Sequence, residues 1–130
     1  MNYSVSDFII RIKNAALAKR RSVILPYSNL NKAIGKILVK ENFLNDIKES
    51  EVDKKKSLVA SIRYEKRESV LNSVRVVSKP SLRIYIGAGD ITKIERKGLK
   101  TIVLSTSKGV LTGKEAKEKE VGGELLFEIS

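Results

Sequence analysis

Two apolar stripes at helical spacing, both within residues 1–40, constrain this chain's fold more than any other feature. Val5, Phe8, Ile9, Ile12, Ala15 and Ala16 recur at intervals of three and four, the signature of one buried helix face. Ser4 or Ser6 is placed to cap that helix, and Asp7 favours its N-terminal dipole. Its opposite face carries Arg11, Asn14 and, one turn on, Ala18 beside Lys19. A second stripe, Leu30, Ala33, Ile34, Ile37 and Leu38, follows Ser28, which is expected as its cap, and Asn42 suits the left-handed position that ends it. Between them lies a short β-type run, Ser22 to Leu25, stopped by Pro26. Beyond Phe43 the period falls from 3.6 to two, as in strands. Phe43 to Lys48 and Ser57 to Tyr64 read as two strands, with the charged stretch Glu49 to Lys56 as the loop between them. The order α-β-α-β-β is that of a small compact lobe.

The polar stretch 65–69 (Glu65-Lys66-Arg67-Glu68-Ser69) is the expected boundary. Past it the pattern is mostly β: Val70 to Val77, Leu82 to Ile86, Thr101 to Leu104, Val110-Leu111 and Leu125 to Ile129. Ser78 to Ser81 joins the first two runs, and Gly87-Ala88-Gly89 makes a turn. Asp90 is placed to cap a short helix ending at Gly98, and Ser105 to Gly109 reads as a tight loop. Thr112 and Glu115 have the spacing of a capping box. The expected fold class is α+β in two small lobes. Residues 1–66 form an N-terminal α/β lobe, and residues 67–130 a C-terminal β-rich lobe with short helices.

Composition decides what such a fold can do. The chain has no His and no Cys, so disulfides, thiol nucleophiles, zinc knuckles and every His-based catalytic arrangement are excluded. Asp, Glu, Lys and Tyr remain as possible catalysts, but no carboxylate pair stands at a telling spacing, and no enzyme activity is expected. No metal or cofactor is called for. No apolar run approaches the length of a membrane span, and the N-terminus lacks the features of a signal peptide, so the expectation is an intracellular protein with no membrane partner. The formal net charge of +11 points to a polyanionic partner. That charge is concentrated: residues 1–40 carry a net +7 and residues 67–112 a net +6, around a neutral stretch. Two basic regions suggest two places where a nucleic acid makes contact.

Four formal motifs fail. Gly87-Ala88-Gly89 lacks the third glycine of a dinucleotide fingerprint, with Thr92 in its place. Gly109 to Lys114 is too short for a phosphate-binding loop, and Glu115 stands where Ser or Thr is needed. Ser105-Thr106-Ser107-Lys108 fits S-x-x-K without the partner motifs. Asn2-Tyr3-Ser4 is a glycosylation sequon only in a secreted chain. As surfaces, however, two segments stand out. Ser105, Thr106, Ser107 and Lys108 place three hydroxyls and a cation at a hairpin, able to meet base edges, 2′-hydroxyls and phosphates; an ordinary polar turn has the same composition. Arg83 and Tyr85 share the strand face opposite Ile84. That makes Tyr85 either a base-stacking platform or a core-edge tyrosine with a wet hydroxyl.

Together, Ser105-Thr106-Ser107-Lys108-Gly109, Gly122-Gly123-Glu124 and Ser78-Lys79-Pro80-Ser81-Leu82-Arg83-Ile84-Tyr85 resemble the bacterial-type small-subunit ribosomal protein number eight family. Asp7 to Asn14 is similar to that family's opening helix and Ser28 to Phe43 to its second, so the likeness covers essentially the whole chain. The chain departs from the family pattern at Lys13, where Arg is usual, at Ser81 and Lys100, where Gly is usual, and at Gly113, where Asp is usual. The resemblance implies a structural component of the small ribosomal subunit that binds the central domain of 16S-type rRNA and stabilises its fold during assembly. It implies a main contact through Ser105, Thr106, Ser107, Lys108, Tyr85 and Glu124, and a further one through Arg11, Lys13, Asn14 and Lys32. It also implies neighbouring small-subunit proteins as partners, number five foremost, and the chain's own messenger RNA. The expected location is a ribosome, in the cytoplasm or in an organelle with a bacterial-type ribosome. The alternative is a general nucleic-acid-binding or RNA-chaperone module outside the ribosome.

Overall fold

The computed structural model describes residues 2–71, 73–77, 82–96 and 101–130. The expected linker Ser78–Ser81, the expected helix end at Gly98, and the departures Ser81 and Lys100 lie outside the described residues. The chain forms two compact units, Ser4–Asn72 and Ser73–Ser130, the second grouped with Met1–Tyr3. Helices combine with antiparallel sheets throughout, an α+β fold whose C-terminal part is the richer in strands.

The first unit runs α1 (Asn2–Leu17), β1 (Ser22–Pro26), α2 (Asn29–Lys40), β2 (Leu44–Val52) and β3 (Lys55–Ile62), followed by a small hairpin of β4 (Tyr64–Glu65) and β5 (Glu68–Ser69). Ser4 and Ser6, both candidates for the cap of α1, lie inside it. The stripe Val5, Phe8, Ile9, Ile12, Ala15 and Ala16 is buried as its spacing requires. Ser28 caps α2, its hydroxyl accepting from the Asn31 N–H at 3.0 Å. Strand order is β1-β3-β2, all antiparallel, with Leu25 opposite Leu58 and Ile47 opposite Ala60 on the buried face. Gly35 on α2 lies against Ile47, and a Cβ there would collide with the Ile47 side chain, so this glycine lets α2 close on β2.

The charged stretch expected as a loop is instead strand. Residues 49–52 and 55–56 continue β2 and β3, and only Asp53 and Lys54 turn, both at positive φ (52° and 64°). Two left-handed residues match the twist of a two-residue hairpin, and the surrounding charges are accommodated because they project to solvent. The polar stretch 65–69 is likewise a hairpin, turning at Lys66 and Arg67 with φ of 52° and 70°.

The second unit comprises β6 (Val74–Val76), β7 (Tyr85–Ile86), a 3₁₀ turn (Ala88–Asp90), α3 (Ile91–Arg96), β8 (Thr101–Thr106), β9 (Gly109–Thr112), α4 (Gly113–Glu118) and β10 (Gly123–Ile129). β10 is the central strand: β6 and β7 pair with it on one side, and β8 then β9 on the other. One sheet face buries Ile102, Leu104, Leu111 and Leu125 against Ile91 and Ala116, supplied by α3 and α4. Thr112 and Glu115 form the expected capping box of α4. Asp90 does not cap α3. It lies within the 3₁₀ turn, whose own cap, Gly87, has no side chain to offer.

Candidate nucleic-acid interface

The register of the second sheet assembles most of the expected contact residues in one row. Ser105 on β8 lies opposite Glu124 on β10, and Glu124 lies opposite Tyr85 on β7. Cross-strand partners share a face, so the three side chains stand side by side, on the face away from the Leu104–Leu125 core. Gly122 and Gly123 make the row possible. A Cβ on Gly123 would collide with the Ser105 carbonyl, and one on Gly122 with the Ile86 carbonyl. Only a strand without side chains at these two positions can pass between β7 and β8 and deliver Glu124 to the middle.

Glu124 is 7% exposed, and its Oε1 has no hydrogen-bond partner among the described residues. Arg83 approaches that oxygen with Nε at 3.8 Å, an ion pair too long for a hydrogen bond. Tyr85 is 67% exposed, so its ring is a solvent-facing plate and not a core-edge filler. Arg83 is exposed beside it while Ile84 turns inward, as alternation requires.

The hairpin after the row divides its hydroxyls between two tasks. Thr106 Oγ1 donates to the Gly109 carbonyl at 2.7 Å and accepts from the Lys108 N–H at 3.1 Å, so it holds the turn together. Gly109 follows at φ 104°, the left-handed residue that lets a tight turn rejoin the ladder. Ser107 and Lys108 are left at the tip, both exposed. Of the four expected loop residues, Ser105 belongs to the row, Thr106 to the turn, and Ser107 and Lys108 to the solvent.

In the first unit the expected residues fall on separate surfaces. Arg11 and Asn14, three apart on α1, line one groove together with Ala15, Ala18, Arg20, Val23 and Ile24. Arg11 Nε is held by Asp7 Oδ1 at 3.0 Å, one turn earlier. Lys13 is turned about 200° from Arg11 around the helix, at about 100° per residue, and does not line that groove. Lys32 is on α2, where Glu49 of β2 takes its ammonium at 2.5 Å. The hydrogen bond and charge of each partner raise the Lys32 pKa above its ordinary value and lower that of Glu49. Both groups therefore stay charged across the physiological range, and the Lys32 charge is matched within the protein.

Residues 4–130 match the family model described as ribosomal protein S8. The chain belongs to the ribosomal protein S8 family. It is 41% identical over 125 residues to the small ribosomal subunit protein uS8 of Nitratidesulfovibrio vulgaris, covering 96% of this chain and 95% of that one. It is 39% identical over 127 residues to the uS8c protein of Physcomitrium patens, covering 96% of each. Identity to the uS8 of Persephonella marina is 41% over 128 residues, covering 94% of this chain and 93% of the relative. The S8 family is one of structural, not enzymatic, ribosomal proteins, and its place is the ribosome. Relatives in bacteria and in a moss match equally well, so the likeness spans both of the settings expected for a bacterial-type ribosome.

In this S8-family chain, sequence reasoning passed over three residues that shape these surfaces. Arg20 was counted only as charge, although it lines the groove with Arg11 and Asn14. Glu49 was assigned to a loop, which hid its place on β2 facing Lys32. Arg83 was seen beside Tyr85 on alternation, but its approach to Glu124 depends on β7 pairing with β10, a long-range register that carries no local signal. Among the described residues no group of His, Cys, Asp and Glu could hold a metal ion, and no helix is long and apolar enough to cross a membrane.

Proposed function

We propose that the chain binds small-subunit ribosomal RNA directly. In this reading the row Ser105, Glu124 and Tyr85, with Ser107 and Lys108 at the hairpin tip, reads a folded segment of the central domain and stabilises that fold during assembly. A ligand that binds only the folded form of its receptor stabilises it by mass action, and no catalysis is needed. Lys108 supplies a phosphate contact, Tyr85 a face for an unstacked base, and Ser105 and Ser107 donors and acceptors for base edges and 2′-hydroxyls. Any RNA reproducing the same fold would fit, the chain's own messenger included. Neighbouring small-subunit proteins, number five among them, are the further partners of this reading.

One observation carries it: the buried Glu124 carboxylate with an oxygen that no hydrogen bond satisfies. Burying a charge without a partner costs several kcal/mol on the order of a lost charged hydrogen bond, so the position is strained unless a ligand supplies a donor. A carboxylate beside RNA is repelled by phosphate, but it accepts well from the exocyclic amine of a base. The test is the series Glu124, Glu124→Gln and Glu124→Leu against a central-domain rRNA fragment. Affinity should fall in that order, by about tenfold or more between the ends, corresponding to ~1.4 kcal/mol or more. The melting temperature of the free protein should not fall, because each replacement removes a buried charge. Equal affinity across the series sinks the reading.

A further inference from the structure

The groove on the first unit is built to a different plan from the row on the second. One wall is the C-terminal half of α1, with Arg11 and Asn14, and the other is the free edge of β1 at Val23 and Ile24. Its volume is about 410 Å³, within the roughly 300–1,000 Å³ of small-ligand sites. No acidic residue lines it. Asp7 takes only Nε of Arg11, and a guanidinium has further N–H donors to offer.

Arg20 is the residue the groove adds to the expected contacts, and its backbone is fixed from three sides. α1 ends in a left-handed residue, Lys19, with φ 55°. The Arg20 N–H then donates back to the Ala15 carbonyl at 3.0 Å, and the Lys19 N–H to the Ala16 carbonyl at 3.1 Å. This is the two-bond closure typical of helix C-termini. The Arg20 carbonyl in turn accepts from the Tyr64 hydroxyl at 2.6 Å. An exposed arginine on so constrained a backbone loses less freedom on meeting an anion.

The β1 edge decides which polyanion fits. The Ile62 N–H donates to the Arg21 carbonyl at 2.9 Å. By antiparallel alternation the backbone groups of Ser22, Ile24 and Pro26 then point away from β3. Pro26 has no N–H, and its carbonyl already accepts from the Asn31 side-chain amide at 3.1 Å. Only Ser22 and Ile24 are left to pair with an added strand, too few to hold an acidic peptide by strand addition. The surface that remains is two guanidinium groups, one amide and an apolar floor of Ala15, Ala18, Val23 and Ile24, with Ile24 67% exposed. Cations at a rim over an apolar floor suit a chain of alternating phosphates and flat sugar–base units.

We propose that this groove binds an unpaired stretch of RNA, with Arg11 and Arg20 taking its phosphates, Asn14 meeting a sugar or base edge, and Ile24 covering a ribose or base face. The inference rests on the reading that the chain binds RNA, and adds to it a second contact that tolerates sequence. The experiment uses the full chain with two probes, a fluorescent decauridylate and the central-domain rRNA fragment, each at two salt concentrations. Arg20→Gln should weaken decauridylate binding about fivefold and flatten its salt slope by about 0.7, the value for one single-strand phosphate contact. Ile24→Thr should weaken it about threefold with the slope unchanged, while Ser107→Ala should leave it unaltered. Both side chains are exposed, and thermal melting of each variant confirms that the fold is intact. Wild-type affinity for decauridylate in both groove variants, or no decauridylate binding at low salt, overturns the groove. Polyglutamate bound as tightly as decauridylate, with the same losses in the variants, also overturns it in favour of an acidic protein segment. Failure of the wild type on the central-domain fragment alone instead overturns the reading beneath it.

Discussion

Thr106 and Ser107 are adjacent, chemically alike and set to opposite tasks by one turn of backbone. The Thr106 hydroxyl spends its proton on the Gly109 carbonyl and accepts the Lys108 N–H, while Ser107 stands exposed. Thr106→Val keeps the β-branched shape and removes both bonds. It should lower stability by about 1 kcal/mol, the net worth of a hydrogen bond, read by denaturant unfolding. Ser107→Ala should change stability by less than ~0.5 kcal/mol yet weaken binding to the rRNA fragment by ~1–2 kcal/mol. The reverse pattern, an unstable Ser107→Ala with unchanged affinity, would make Ser107 the turn residue and contradict the division. The sequence marked all three hydroxyls as one unit, because composition cannot tell a hydroxyl that closes a turn from one that faces solvent. That distinction needs the register that pairs Thr106 with Gly109.

At the level of elements, three helices end the same way. α1, α2 and α4 each close with the N–H of the second residue past the helix cap donating to a carbonyl five residues back: Arg20 to Ala15, Phe43 to Leu38 and Val121 to Ala116. The residue before each of these donors is left-handed: Lys19 at φ 55°, Asn42 at 66° and Glu120 at 54°. Asn42 was legible in the sequence, since asparagine tolerates this conformation; Lys19 and Glu120 were not, because their side chains have no preference for it. A non-glycine residue in the left-handed region costs roughly 1–2 kcal/mol, part of which glycine gives back as unfolded-chain entropy. Glu120→Gly should therefore raise stability by about 0.5–1 kcal/mol, seen as a higher melting temperature, and a lower one would mean that the Glu120 side chain serves a contact of its own. The apolar stripes of α1 and α2 and the capping box of α4 were read correctly because each is a local pattern with one geometric solution. The ends of β2 and β3 were misread because charged residues on a two-sided, solvent-facing hairpin carry no alternation to mark them as strand.

Across the whole molecule, charge and chemistry are distributed differently, and this separates affinity from selectivity. The basic excess lies in residues 1–40 and 67–112, whereas the row Ser105–Glu124–Tyr85 carries one negative charge, met by Arg83. Counterion release should thus govern how tightly any RNA is held, and the row should govern which RNA is preferred. Raising salt from 50 to 200 mM should weaken binding of both the central-domain fragment and a scrambled fragment of equal length. For roughly six phosphate contacts the loss is on the order of 1,000-fold. The ratio of the two affinities should hold or rise, because hydrogen bonds to base edges and stacking on Tyr85 release no counterions. Glu124 sharpens the expectation, since salt screens its repulsion from nearby phosphates while leaving its acceptance of a base amine intact. Fluorescence anisotropy with the two fragments across a salt series measures both quantities at once. A ratio that collapses toward one as salt rises, with duplex DNA competing at the same concentrations, would make selectivity itself electrostatic. The chain would then act as a general nucleic-acid-binding or chaperone module, with the buried carboxylate taking no part in recognition.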